Sequence, residues 1–237
     1  MVTTQAPPFL ELDLGISDEA REWQRKARDF AREVVLPTGV KLDRLAAKDV
    51  VADGSPLWEF LELSHREGFT KITGPKELGG LGLSRLEEYL IVEEIATGDA
   101  GLGAVLFLAP FTFTFAHASG RQRLIDELAR PYFAGEQPTW HSCWAITEMS
   151  HGSDYLGAQS PELEVSGGDV RARRDGDEWV INGRKWFTSG AIGAAFAIVM
   201  CRTEEADGKG GSREKMTQII VPTDTPGFNI VRSVPVW

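Results

Sequence analysis

The sequence predicts an α+β chain: an all-α part over residues 1–138, then a small antiparallel β-barrel or sandwich over residues 139–237. Three observations carry this. Ahead of Pro138, apolar residues recur at three- and four-residue spacing behind Ser, Asp and Pro caps. From Ser142 the period falls to two, in short runs of β-branched and aromatic residues. Between these runs stand Asp175-Gly176-Asp177 and Asn182-Gly183, which supply tight turns. A repeated Gly-rich strand-to-helix motif is missing, so a dinucleotide-binding Rossmann domain is not supported.

Ser17-Asp18-Glu19 opens the first helix with a cap and an acidic first turn. Ala20, Trp23, Ala27, Phe30, Ala31 and Val34 give it one apolar face, and Pro37 is expected to end it. Ser55-Pro56 starts a second helix, which turns Leu57, Phe60, Leu61 and Ser64 inward and stops at Gly68. Pro75 to Gly82 reads as an irregular, Gly-rich crossing. Ser84 and Glu87 form a capping box for a third helix that carries Leu86, Tyr89 and Leu90 into Glu93-Glu94-Ile95. Glu87, Glu88, Glu93 and Glu94 resemble paired acid–base carboxylates, but no His stands at ligand spacing and a solvated helix face is expected.

Ala100 to Gly120 carries no Asp, Glu, Lys or Arg and is long enough to span a bilayer. Gly101, Gly103, Pro110, Thr112, Thr114, His117 and Ser119 argue against that, as does the lack of flanking basic clusters. A helix enclosed by its neighbours is the expectation, with no membrane contact; the membrane-anchored alternative is tested by solubility without detergent. Arg121 to Ala129 gives one more short helix, and residues 131–138 form a linker. Beyond it the expected strands are Cys143–Thr147, Val170–Arg174, Trp179–Ile181, Lys185–Thr188, Ala195–Arg202, Met216–Pro222 and Phe228–Arg232. At Val234-Pro-Val-Trp237 the pattern would want another strand.

With 42% hydrophobic residues and seven Trp, the chain can bury a substantial core. A formal net charge of −10 argues against generic nucleic-acid binding, although one local basic cluster would suffice for a polyanionic ligand. Cys143 and Cys201 are distant and flanked by apolar residues, so they make no disulfide or metal framework. Two small core residues in a reducing compartment are expected, and with them a cytoplasmic location. Met1 to Gly15 shows no basic segment leading into an apolar one and none of the arginines of a transit peptide.

Two segments organise the chain. In the first, Trp144, Ala145 and Ile146 form a buried strand end that runs through Thr147-Glu148-Met149 into the polar turn Ser150-His151-Gly152-Ser153-Asp154. In the second, Val180-Ile181 leads through Asn182-Gly183, a pair favoured in type I′ turns, into Arg184-Lys185-Trp186-Phe187-Thr188-Ser189. An aromatic and Thr strand end beside a Gly/Ser turn offers a flat apolar wall with hydroxyl and backbone donors, which is the surface a planar heterocycle with polar edges needs.

These segments resemble the signatures of the acyl-CoA dehydrogenase family, aromatic-x-x-Thr-Glu-Pro-x-x-Gly-Ser-Asp and Asn-Gly-x-Lys-x-Trp-x-Thr. Met149 replaces the usual Pro, and Lys185 and Trp186 are adjacent where the pattern separates them by one residue. The capped first helix, Pro75-Lys-Glu-Leu-Gly-Gly-Leu-Gly82, the Glu93-Glu94-Ile95 helix and Gly98-Asp99-Ala100 are similar to the family's helical N-terminal domain. The resemblance thus covers nearly the whole chain, and Thr-Glu…Gly-Ser-Asp is its most specific part.

The resemblance implies FAD as cofactor. Thr147 would hydrogen-bond the pyrimidine edge of the isoalloxazine, with Trp144, Ala145 and Ile146 adding backbone groups and packing. Gly152 and Ser153 would lie by the pyrophosphate, Ser153 also by the bound acyl-CoA. Trp186, Phe187 and Thr188 would close the other side, the Thr188 hydroxyl near flavin N5. The implied reaction is α,β-dehydrogenation of an acyl-CoA thioester: a carboxylate takes the α-proton while hydride leaves the β-carbon for N5. Neither a catalytic residue nor a metal site is expected within the chain; the base is a Glu expected beyond Trp237, in the family's C-terminal four-helix domain, which is absent from this sequence. An electron-transfer flavoprotein or similar acceptor and a homo- or hetero-oligomeric state are implied as well.

Glu148 is read as holding its turn rather than as the base. His151 occupies a variable position of the signature, His141 stands before it, and His65 and His117 fall in the helical half with packing or surface roles. Gly208 to Lys215 reads as a solvated loop, with contact to a CoA phosphate as the alternative. Two other functional readings stay open. One is a non-catalytic or flavin-sharing subunit of a heteromeric dehydrogenase, which sequence downstream of Trp237 would separate. The other is a related flavin oxidase or monooxygenase, which oxygen consumption would reveal.

Overall fold

The computed structural model describes residues 15–157, 168–206 and 211–233. Val234–Trp237, nearly all of Met1–Gly15 and part of the 208–215 loop therefore lie outside the described residues. Ser17 caps α1 (Asp18–Phe30) by accepting the Ala20 N–H, and Ala20, Ala27 and Phe30 face inward. The helix does not end at Pro37. A π-turn over Ala31–Val35, in which the Leu36 N–H reaches the Ala31 carbonyl, leads into α2 (Leu36–Leu42) with Pro37 in its first turn. The wider turn moves aside the carbonyls that the N–H-less pyrrolidine ring would otherwise crowd.

The same device recurs later. Between α7 (Gln122–Leu124) and α8 (Arg130–Ala134) lies a second π-turn, Ile125–Ala129, and Pro131 follows it as Pro37 follows the first. The expected linker therefore begins later: the helix continues to Ala134 and ends on Gly135, which is left-handed.

The remaining helices follow their caps. Ser55 and Pro56 open α3 (Pro56–Arg66), and Ser84 with Glu87 closes the capping box of α4 (Arg85–Ala96). Asp99 caps α5 (Ala100–Leu108), and Pro110 separates it from α6 (Phe111–Ala118). Ala100–Ala118 is long and apolar enough to cross a membrane by length and composition. Here it forms two successive helices whose inner faces bury Leu102, Leu106, Phe113 and Ala116. The glutamates of α4 are not a solvated row. Glu88 is buried against Arg85, and Glu94 is held by Arg28 and Gln24 of α1.

In the β part, the strands are β1 (Ser142–Ala145), β2 (Arg171–Asp175), β3 (Glu178–Asn182), β4 (Phe196–Ala206) and β5 (Ser212–Pro222). The expected antiparallel sheet is corrected to a mixed one. β1 runs parallel to β4 from Ser142↔Phe196 to Ala145↔Val199, and β2 meets β4 in parallel at Arg171↔Arg202. Among the described residues, β2–β3 and β4–β5 are the antiparallel pairs. Tight turns report the sense of the strands they join and nothing about strands paired through a long crossover, such as the one between β1 and β4.

The β2–β3 turn is at Gly176-Asp177, so Asn182-Gly183 is not a hairpin turn. Lys185–Thr188 and Phe228–Arg232 are irregular rather than strands. Gly183 has φ +131°, and a Cβ there would stand 2.7 Å from the Asp169 carbonyl oxygen, so the chain can cross only without a side chain.

One buried cluster joins α1 to α5 through Phe30, Phe60, Ile91, Ile95 and Leu102. A second couples helices to sheet. Phe113 stacks on Tyr132 at 3.9 Å and on Trp140 at 5.8 Å, while Phe196 of β4 meets it edge-on. Burial of a side chain such as Phe113 contributes about 1.5–3 kcal/mol. That seam fixes β1 against α5 and α6, and the candidate site opens there.

Candidate functional site

Because strand side chains alternate, Trp144 and Ile146 face one side of β1 and Cys143 and Ala145 the other. Ala145 therefore enters the sheet core and does not line the site. Trp144 packs against Phe111 and Phe115 of α6, with ring centroids 5.7 and 5.5 Å away. Its indole Nε1 is buried without a hydrogen-bond partner among the described residues.

Past β1 the chain meets the second segment. The Trp186 N–H donates to the Thr147 carbonyl at 2.9 Å. One residue earlier, Lys185 Nζ donates to the Ile146 carbonyl at 2.8 Å and to Glu148 Oε1 at 2.7 Å. Lys185–Thr188 therefore spends its bonds on the end of β1 and cannot return along β3. Together the segments enclose a cleft of about 190 Å³. Trp144, Ile146 and Thr147 form one side, Trp186, Phe187 and Ser189 another, and Leu108 of α5 completes it. Phe187 is 74% exposed and adopts φ +52°, a left-handed conformation that is uncommon outside Gly and Asn.

Thr188 is half-buried, its carbonyl accepts the Ala191 N–H, and Ser189 lines the cleft in its place. Gly152 and Ser153 sit in the turn beyond and line no part of this cleft. The Gly152 N–H donates to Asp154 Oδ1 at 2.6 Å, while Asp154 Oδ2 lies 2.7 Å from His151 Nδ1. His151 stacks on Tyr155 at 4.7 Å. Arg213 and Lys215, expected in a solvated loop, lie within β5 in register with β4, where Glu205 pairs with both.

Sequence reasoning missed the ion pair that joins the segments. The Glu148 side chain is fully buried, and its carboxylate also accepts from Tyr155 Oη at 3.1 Å, the Val170 N–H at 3.2 Å and the Asp169 N–H. Burial holds the Lys185 ammonium below the usual lysine range, partly offset by its bond to Glu148. Burial first, and the Glu148 charge second, push the Tyr155 phenol up to about 12. No local signal marks the pair, because Glu148 and Lys185 meet only where the two segments cross.

A second hollow of about 140 Å³ adjoins the cleft and shares Leu108 and Ser189 with it. His141 lines it and is 3% exposed; burial lowers its pKa and favours the neutral imidazole. Among the described residues, no Glu or Asp lines either hollow.

Residues 17–136 match the family described as "Acyl-CoA dehydrogenase, N-terminal domain", and residues 143–236 match "Acyl-CoA dehydrogenase, middle domain". The "Probable medium-chain specific acyl-CoA dehydrogenase 2, mitochondrial" of Caenorhabditis briggsae is 27% identical over 92% of this chain and 48% of its own length. The "Isobutyryl-CoA dehydrogenase, mitochondrial" of Dictyostelium discoideum is 27% identical over 91% and 46%. Among solved structures, a probable acyl CoA dehydrogenase from Mycobacterium abscessus superposes with a TM-score of 0.71 at 25% identity, over 92% of this chain and 52% of that one. The chain spans about half the length of the relatives it matches.

Proposed function

The chain belongs to the acyl-CoA dehydrogenase family, and from that membership we propose that its cleft holds the FAD of an acyl-CoA α,β-dehydrogenase. Members of this family bind FAD. The residues present fit a flat heterocycle with polar edges. Trp144, Trp186 and Leu108 supply apolar surface, Thr147 and Ser189 supply hydroxyls, and the unpartnered Trp144 Nε1 is a buried donor. One observation carries the reading: the Trp186 N–H bonded to the Thr147 carbonyl brings both signature segments to a single cleft.

When bound, FAD supplies the two-electron acceptor for the β-hydride. The chain's own part is to orient and to exclude water. Thr147 would offer a donor to the flavin's polar edge, where negative charge builds on reduction, and Trp144, Trp186 and Leu108 would keep solvent from the reacting carbons. The resemblance assigns the hydroxyl beside the hydride-accepting atom to Thr188, which stands next to the cleft-lining Ser189 but outside the lining itself. Gly152 and Ser153, outside the cleft but on the turn leaving β1, are assigned to the pyrophosphate and to the acyl-CoA. The α-proton requires a carboxylate, and the cleft lining holds none. We assign the base to a Glu outside the residues described here, on further sequence or on another subunit.

The absent carboxylate favours a second reading, a flavin-sharing subunit whose partner brings the base. We place the domain boundary between residues 138 and 139, and expect a soluble cytoplasmic oligomer that passes electrons to an electron-transfer flavoprotein or similar acceptor. The deciding experiment is an absorbance spectrum of the intact protein titrated with a panel of acyl-CoAs. Bleaching of the oxidised flavin bands supports dehydrogenation, a bound flavin that no acyl-CoA reduces favours the subunit reading, and an absent flavin removes both.

A further inference from the structure

Lys185 Nζ does two things at once, since it pairs with the fully buried Glu148 carboxylate at 2.7 Å and donates to the Ile146 carbonyl at 2.8 Å. That carbonyl belongs to the same peptide unit as the Thr147 N–H, and both Ile146 and Thr147 line the cleft. An ammonium hydrogen-bonded to a carbonyl withdraws electron density through the amide and strengthens its N–H as a donor, an effect enhanced where the dielectric is low. Glu148 keeps the ammonium in place. It is itself fixed by Tyr155 Oη, the Val170 N–H and the Asp169 N–H, so the cation cannot swing out to solvent without stranding a buried carboxylate. The next carbonyl, that of Thr147, is taken by the Trp186 N–H, so consecutive peptide units of the first segment are oriented by consecutive residues of the second.

We propose that Lys185 is a positioning residue for the flavin: seated by Glu148 and acting through the Ile146–Thr147 peptide, it strengthens the donor presented to the flavin edge and so favours the reduced, more negative cofactor. This rests on the reading of the cleft as the FAD site. A purely architectural ion pair would influence stability and leave flavin electronics alone.

The test uses the full chain and two variants, Lys185→Met and the double variant Glu148→Gln/Lys185→Met. The double variant removes both charges together, so no buried charge is orphaned. FAD dissociation constants, flavin midpoint potentials and melting temperatures of the apoproteins are compared. For the double variant, the expected result is a melting temperature near wild type, FAD binding weakened about tenfold, and a preference for reduced over oxidised flavin lowered about tenfold, or about 30 mV for a two-electron couple. A double variant with unchanged FAD affinity and potential would overturn the proposal and leave a structural pair. Wild-type protein that takes up no FAD would overturn the functional reading itself and this inference with it.

Discussion

Ser17, which caps α1, and Glu87, in the first turn of α4, are joined through two hydrogen bonds to one carboxylate oxygen: the Ser17 N–H at 3.0 Å and its hydroxyl at 2.5 Å. The other oxygen accepts the Ser84 N–H and hydroxyl, each at 2.9 Å. One glutamate thus closes its own capping box and ties the start of a helix far away in sequence to it, and α4 in turn packs on α5.

These four bonds, led by the Ser17 hydroxyl, hold Glu87 down to about 2, below its ordinary 4.5. A depressed carboxylate pKa contributes stability that is complete above the unfolded value and fades as pH falls through the folded one. Glu87→Gln is therefore expected to flatten part of the acid limb of stability between about pH 4.5 and about pH 2. Denaturant titrations across that window check it, and an unchanged slope would show that the clasp does not form in solution.

Lys185→Met alone leaves Glu148 buried and uncompensated. Breaking such a pair from one side costs about 3–5 kcal/mol, so chemical denaturation should show a loss of that order. A loss under about 1 kcal/mol would mean that water reaches the carboxylate.

Phe187 holds φ +52° while its ring is 74% exposed, so little packing offsets the left-handed backbone. Phe187→Gly should raise stability by about 1 kcal/mol and weaken FAD uptake by removing one wall of the cleft. A fall in stability would show that the ring packs more tightly than this geometry states.

The 237-residue chain by itself should turn over no acyl-CoA, because no carboxylate among the described residues lines either hollow to take the α-proton. Coupled dye-reduction assays with acyl-CoAs of several chain lengths measure this directly, and steady turnover would place a base within these residues.

Much of this was legible in the sequence because the relevant signals are local. Caps at Ser17, Ser55 and Ser84 and the start of β1 at Ser142 follow from short-range preferences. Pro37 and Pro131 misled because a proline reads as a stop unless a π-turn precedes it, and that turn depends on packing rather than on residue type. The parallel pairing of β1 with β4 escaped for a related reason, since non-local register leaves no mark in either strand alone. At the site, Trp144, Ile146, Thr147, Trp186 and Phe187 line one cleft, whereas Ala145 turns inward by simple alternation. The Lys185–Glu148 pair was invisible because its partners are set by the crossing of two segments, one of which had been read as a strand.

Thr147 and Trp186 line one cleft, and the proposed function puts the flavin there. FAD titration of the apoprotein, followed by quenching of tryptophan fluorescence, tests it most directly in the full chain and in its Trp186→Ala variant. Saturable one-to-one binding by the wild type, and at least tenfold weaker binding by the variant with folding unchanged, is the expected outcome. Equal affinity in the two, or no saturable binding by the wild type, would contradict it.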